Sequence, residues 1–224
     1  MIRSPFVAYA GPFFVFLGLL ALSRVAPLPP LAIQAAFVAI MAVVIAAAVS
    51  PADFRVRHWV GTPLLGLAVF AIWIAPDRLF PGYRHFWLFE NPVMGKVQTG
   101  LSAEAQGQTA VLWLRAIRAV AIVPVVEELF WRGWLMRWLI SERISEPFEA
   151  IPLGTWSARS FWIVAVLFAS EHGPYWDVGL AAGLLYNWWM VRTRSLGDLV
   201  AAHAITNACL SAYVVWSGRW EYWS

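Results

Sequence analysis

Residues 31–49 read LAIQAAFVAIMAVVIAAAV and carry no charged side chain. An α-helix of about 20 apolar residues spans the hydrocarbon core of a bilayer, so this segment predicts a transmembrane helix. Two more uncharged runs flank it, Phe6–Ser23 on one side and Trp59–Ala75 on the other. The first third of the chain therefore predicts three membrane spans.

The composition of the whole chain agrees with a membrane protein. Of its 224 residues, 61% are hydrophobic and 13% are charged, whereas a typical soluble domain is about half apolar and about a quarter charged. Disorder requires low hydrophobicity, and a disulfide-stapled secreted domain requires several cysteines, while Cys209 stands alone. The net charge of +3 does not indicate nucleic-acid binding, because the arginines are scattered between apolar runs.

The second half of the chain predicts four further helices: Thr109–Ile140, Ser160–Leu180, Gly179–Val191 and Leu199–Gly218. The first of these is too long for a single span unless it projects from the membrane or bends near Pro124. The predicted fold class is therefore an all-α, polytopic integral membrane bundle with about seven to eight transmembrane helices.

The segment Pro76–Gln108 mixes polar and aromatic residues with proline and glycine, which predicts a loop with short interfacial pieces. We expect one membrane domain over residues 1–224. Within it, residues 1–108 form the N-terminal spans and the interfacial loop, and residues 109–218 form the helices that carry the polar motifs.

Three charged residues interrupt the long helix in PVVEELFWR, residues 124–132. A charge at the centre of a membrane helix costs at least about 2.5 kcal/mol, so such residues indicate a function or a partner. Glu128 and Arg132 are four residues apart, which predicts an ion pair on one helix face. Glu127 lies about 140° around the helix from Arg132 and needs other partners. A buried Glu–Arg pair is also a common structural clamp, so the pair alone does not indicate catalysis.

Two histidines and an asparagine follow on later apolar helices. His172 ends one helical run, and His203 and Asn207 lie four residues apart on one face of the last helix. If these helices are centred near the same depth, a carboxylate, two imidazoles and an amide surround a single water molecule. Such a cluster suits hydrolysis, although a lone membrane histidine is more often an interhelical hydrogen-bond partner.

Other polar residues are compatible with the membrane interface. Glu171 is expected at the water interface, and Asn187, which precedes Trp188 and Trp189, is expected in an aromatic belt. Arg115 and Arg118 are expected to extend toward lipid head groups, with contact to a substrate carboxylate as the alternative.

Three motifs stand in order on successive hydrophobic helices: Glu127-Glu128-x-x-x-Arg132, Phe168-x-x-x-His172 and His203-x-x-x-Asn207. They resemble the CPBP family of intramembrane proteases, which includes CAAX prenyl endopeptidases of the Rce1 type and bacteriocin-processing or self-immunity proteins. The resemblance covers Leu112 to Trp216. The length and the many tryptophans are similar to bacterial CAAX-protease-related proteins associated with exosortase sorting systems.

The resemblance implies a glutamate-dependent endopeptidase with about eight helices around a polar cavity, so an additional helix is expected within residues 76–108. It implies that Glu127 and His172 activate water and that His203 and Asn207 stabilise the oxyanion. Glu128 and Arg132 would hold the site in shape. The implied substrate is a membrane-associated peptide or protein cut near its C-terminus, and the implied location is the bacterial inner membrane, in contact with lipid.

Two alternatives remain at this stage. No cofactor is expected, but Glu127, His172 and His203 are a possible zinc-ligand set, although the chain has no His-Glu-x-x-His motif. The second alternative is a non-catalytic membrane protein, an immunity or scaffold factor, that uses the same polar cluster to bind a partner.

Overall fold

The computed structural model describes residues 4–49 and 54–223. Their regular secondary structure is helical, and the one β-type pairing among them is an isolated bridge between Asn91 and Gly95. Five helices within these ranges are long and apolar enough to cross a membrane. The all-α polytopic membrane fold predicted from the sequence is therefore confirmed.

The described residues form eight α-helices, which we number in chain order. They are α1 (Pro5–Ser23), α2 (Pro30–Ala48), α3 (Gly61–Leu79), α4 (Ala103–Gln106), α5 (Thr109–Ile144), α6 (Ala158–Ser170), α7 (Trp176–Thr193) and α8 (Leu196–Ser217). A 3₁₀ turn, Trp220–Trp223, follows α8. The large apolar side chains on the outer faces, such as Val43 and Trp216, suit contact with lipid.

The C-terminal boundary predicted for the helix Ser160–Leu180 was wrong. It ends at Ser170, a 3₁₀ turn occupies Gly173–Tyr175, and α7 begins at Trp176. The chain cannot continue as one helix here, because Gly173 has a φ of 51° and Pro174 has no N–H group. His172 therefore lies in the turn between two helices.

The additional helix expected within residues 76–108 is also absent from that segment, which the structure describes in full. It contains the end of α3, α4 and a 3₁₀ turn over Tyr83–His85, and the last two are too short to span a membrane. Gly82 and Gly95 adopt positive φ values of 80° and 85°, which interrupt helical structure.

Helix α5 is continuous over 36 residues but contains two π-helical segments, Arg118–Ile122 and Leu129–Leu135, on either side of Pro124. In the first segment the N–H of Val123 bonds to the carbonyl of Arg118, five residues earlier. Because Pro124 has no N–H, the carbonyl of Ala119 lacks its usual helical donors. The irregularity near Pro124 is thus a widening of the helix rather than its end.

Helices α3 and α8 approach each other closely at Gly66. A Cβ atom on Gly66 would lie 2.5 Å from the carbonyl oxygen of Ala202. The Gly66 carbonyl oxygen also lies 2.9 Å from Oγ1 of Thr206. Small residues permit such backbone contacts between membrane helices. This contact fixes the face of α8 on which His203 and Asn207 lie.

Candidate active site

Glu128 lies on α5, is wholly buried, and has both carboxylate oxygens bonded. Nη1 of Arg132 donates to them at 3.1 and 3.0 Å, and Nδ1 of His203 lies 2.8 Å from Oε1. The ion pair predicted from the four-residue spacing is present. Buried charges are stable only with good pairing and further hydrogen bonds, and Glu128 has both.

The other side of the Arg132 guanidinium is also occupied. Nε donates to Oδ1 of Asn187 at 2.8 Å, Nη2 donates to the carbonyl of Gly183 at 3.3 Å, and the ring of Phe168 lies 4.5 Å from the guanidinium carbon. Asn187 in turn donates to the carbonyl of Phe161 at 2.8 Å. Arg132 is thereby fixed by residues from three helices.

The prediction that Asn187 lies in an interfacial aromatic belt was wrong, because its side chain is wholly buried against Arg132. Its two tryptophan neighbours suggested the interface. The stronger signal was a primary amide in the middle of an apolar helix, since such groups face the bundle interior and bond to other helices.

Glu127 has a different environment from its neighbour. Its side chain is buried and lines a cavity of about 280 Å³. Neither of its carboxylate oxygens accepts a hydrogen bond from residues 4–49 or 54–223, and Oε2 is fully enclosed. A buried carboxylate normally has a partner, so one without an internal donor is available to bind a water molecule or a substrate group.

His172, His203 and Asn207 line the same cavity as Glu127, and we call it the site cavity. The structure thus brings together the four residues that the sequence predicted as catalytic. Apolar side chains of α1, including Phe13 and Phe16, form another part of its wall. The cavity combines a few polar groups with an apolar lining, as binding sites for substrates commonly do.

His172 has its tautomer fixed by a backbone contact. Its Nδ1 lies 2.7 Å from the carbonyl oxygen of Phe168, which can only accept a hydrogen bond. Nδ1 therefore carries a proton and donates it, and Nε2 is the nitrogen available to accept another. Gly179 makes room for the ring, because a Cβ atom there would lie 3.1 Å from Nδ1.

His203 is oriented by Glu128 and by an aromatic neighbour. With Nδ1 directed to the Glu128 carboxylate, Nε2 is the nitrogen left for the site cavity. The imidazole stacks on Tyr186 with ring centroids 5.1 Å apart, and the Tyr186 hydroxyl donates to Oγ1 of Thr206 at 2.8 Å. A carboxylate bound to one imidazole nitrogen fixes the direction of the other.

Asn207 connects the cavity to the irregular part of α5. Its Nδ2 donates to the carbonyl of Ala119 at 2.8 Å, which is the carbonyl that lacks helical donors near Pro124. One amide hydrogen of Asn207 is therefore used in packing α8 against α5, and the second hydrogen remains. The sequence predicted a role in the cavity and gave no sign of this backbone contact.

Glu171 is a third carboxylate at the site cavity, and sequence reasoning underestimated it. Its side chain is exposed, lines the site cavity, and accepts a hydrogen bond from Nε1 of Trp131 at 3.1 Å. Its position directly before His172 was the available signal, because the turn after α6 brings both residues to the same cavity.

The zinc alternative lacks a ligand set. Among the described residues, no three His, Cys, Asp or Glu side chains are arranged to hold a metal ion, and this includes Glu127, His172 and His203.

Residues 109–209 match the family model described as Rce1-like, type II CAAX prenyl endopeptidase. This part of the chain is therefore similar to an Rce1-like domain. The matched range contains all three polar motifs, so the family resemblance predicted from them is confirmed. No curated protein and no solved structure matches the chain.

The family that residues 109–209 match is a protease family. This similarity supports a protease and does not favour the immunity or scaffold alternative. Together with the five long apolar helices, the match identifies an integral membrane protein.

Proposed function

We propose that the chain is a glutamate-dependent intramembrane endopeptidase that hydrolyses a peptide bond near the C-terminus of a membrane-associated peptide or protein. One contrast carries the proposal: Glu127 is buried at the site cavity without a hydrogen-bond donor from the described residues, whereas the adjacent Glu128 has both oxygens bonded. Of the two carboxylates, only Glu127 is available to a reacting water molecule.

In the proposed reaction Glu127 accepts a proton as water attacks the scissile carbonyl carbon. His172 assists through Nε2, the nitrogen that its contact with Phe168 leaves unprotonated. When the C–N bond breaks, the proton passes to the leaving amine. General acid–base catalysis of this kind contributes about 10²- to 10⁴-fold to the rate.

The oxyanion formed in this step requires hydrogen-bond donors. Asn207 has one amide hydrogen left after its bond to Ala119. The Glu128 carboxylate at Nδ1 of His203 directs Nε2 toward the site cavity, where the imidazolium form donates a second hydrogen bond. Loss of one such donor typically costs about 2.7 to 4 kcal/mol of transition-state stabilisation.

Glu128 and Arg132 act as positioning residues in this proposal. Arg132 compensates the buried charge of Glu128, and Glu128 holds His203 toward the site cavity. Asn187 completes the support by binding Arg132 from α7.

We also infer that residues 1–224 form one membrane domain in the bacterial inner membrane. Helices within residues 109–218 supply the polar groups, and α1 and α3 supply apolar walls. The description of the matched family supports a prenylated, membrane-associated substrate.

The test uses the purified chain in detergent and a fluorogenic peptide with a farnesylated cysteine close to a free C-terminus. Glu127→Gln should lower kcat/KM by about a hundredfold or more, because the general base is removed. Glu146→Gln is the matched control, since Glu146 is exposed and distant in sequence from every site residue. Wild-type rates of cleavage by Glu127→Gln would exclude Glu127 as the base.

A further inference from the structure

A second cavity of about 640 Å³ adjoins the site cavity. We call it the arginine cavity, because Arg24, Arg115 and Arg118 line it. The two cavities share lining residues, including Trp73 and His172. An extended ligand that reaches the site cavity can therefore continue into the arginine cavity.

Arg118 is buried in the arginine cavity without an ion-pair partner among the described residues. Its side chain is only 5% exposed, and its guanidinium carbon lies 4.6 Å from the centroid of the Phe37 ring. Nε is enclosed without a hydrogen-bond partner, and no Asp or Glu of the described ranges forms an ion pair with it. The prediction that Arg118 extends toward lipid head groups was therefore wrong.

A buried cation without an anion is strongly unfavourable, more so in a membrane protein. The other groups around Arg118 do not remove this deficit. Arg24 and Arg115 add positive charge, although Arg115 also donates to the carbonyl of Trp223 at 2.7 Å. Among the described residues, Glu171 is the one acidic side chain in the lining, and it is shared with the site cavity. The arginine cavity is therefore suited to an anionic group.

The position of Arg118 relative to Glu127 suggests which anion it binds. Glu127 lines the site cavity and Arg118 lines the arginine cavity that adjoins it. A substrate whose scissile bond lies at Glu127 can therefore extend its short C-terminal segment into the arginine cavity. Its free C-terminus would then lie near Arg118.

We propose that Arg118 binds the free C-terminal carboxylate of the substrate and thereby restricts cleavage to bonds near that end. This inference rests on the proposed function of Glu127. Arg118 is then a specificity-determining residue: its guanidinium pairs with the carboxylate, and the ring of Phe37 orients the guanidinium.

The test measures binding to the chain with Glu127→Gln, so that cleavage does not interfere. Two fluorescent farnesylated peptides are compared by anisotropy in detergent: one with a free C-terminal carboxylate and one with a C-terminal amide. We expect the acid to bind about tenfold to a hundredfold more tightly, as for a hydrogen bond to a charged group. Equal affinity of the two peptides overturns the proposal, and this comparison needs no substitution of Arg118.

Substitution of Arg118 provides the second arm. Arg118→Gln should remove the preference for the acid by weakening acid binding alone, and Arg118→Lys should retain part of it because the charge remains. Arg159→Gln is the control, since Arg159 is exposed and does not line either cavity. An unchanged preference in a folded Arg118→Gln chain overturns the assignment.

A phospholipid head group is the competing source of an anion. Native mass spectrometry of nanodiscs that contain phosphatidylglycerol distinguishes it: loss of bound lipid in Arg118→Gln with an unchanged acid preference would assign the site to lipid instead. The binding measurements remain valid even if Glu127 is not the base, so failure of this inference and failure of the proposed function are separate outcomes.

Discussion

At the scale of single residues, Glu127 and Glu128 are chemically identical neighbours with opposite environments. Successive residues of an α-helix are rotated by about 100°, so the two side chains point to different surroundings. Glu128 is bonded to Arg132 and His203, while Glu127 has no donor among the described residues. Substitution of Glu128 by glutamine should therefore mainly lower stability, whereas the same substitution of Glu127 should mainly lower activity.

Glu128→Gln should strongly destabilise the chain, because Arg132 would remain buried without its counter-ion. Breaking a buried pair on one side costs about 3 to 5 kcal/mol. Glu127→Gln should leave the Tm close to that of wild type, since it removes no internal hydrogen bond. Thermal unfolding in detergent measures both. A fall in Tm for Glu127→Gln as large as for Glu128→Gln would contradict the different environments described above.

The sequence predicted the pairing of Glu128 with Arg132 because spacing along one helix determines it. It also placed His203 and Asn207 on one face of α8 for the same reason. The partners of His172, Asn187 and Asn207 were not predictable in this way. Asn187 and Asn207 bond to backbone carbonyls on other helices, and His172, in the turn after α6, bonds back to the carbonyl of Phe168 in the last turn of that helix.

At the scale of the helices, the active groups are placed by close contacts and irregular turns. Gly66 lets α8 approach α3, and Gly179 leaves space for the imidazole of His172. The π-helical segment before Pro124 exposes the Ala119 carbonyl to which Asn207 binds. The sequence indicated an irregularity at Pro124, but the choice between a bend and a π-helical segment depends on the neighbouring helix.

Gly66→Ala should separate α3 from α8, because the new Cβ atom would lie 2.5 Å from the carbonyl oxygen of Ala202 and close to Ile205. Overpacking of this kind costs about 1 to 3 kcal/mol. We expect a lower Tm together with a lower kcat, since α8 carries His203 and Asn207.

Gly18→Ala is the matched control for this substitution. Gly18 lies on α1, and a Cβ atom there has no heavy atom within 4 Å. Alanine is the better helix former by about 1 kcal/mol, so this variant should be as stable as wild type or slightly more stable. Equal Tm and kcat for the two glycine variants would show that the contact at Gly66 does not position α8.

At the scale of the whole molecule, ion pairs between side chains hold the segment between α3 and α5 against the rest of the bundle. Arg84, which is buried, pairs with Asp77 at the end of α3 and with Asp177 at the start of α7. It also donates to the carbonyl of Pro174 at 2.9 Å. The sequence predicted a loop with short interfacial pieces here, and the family resemblance implied an additional helix. Neither indicated these ion pairs, because Asp177 and Pro174 are distant from Arg84 in the sequence and no local spacing points to them.

Arg84→Gln should release this segment, since two buried or half-buried carboxylates would lose their shared cation. The loss of a buried charge partner costs about 3 to 5 kcal/mol, so the Tm should fall. Because Pro174 lines the arginine cavity, hydrogen exchange should also rise in residues 83–101 and in the turn after α6. Arg78→Gln is the control, because Arg78 lies in the last turn of α3, next to Asp77, and is exposed. Unchanged exchange in both segments after Arg84→Gln would mean that apolar packing, and not the ion pairs, holds the loop against the cavity.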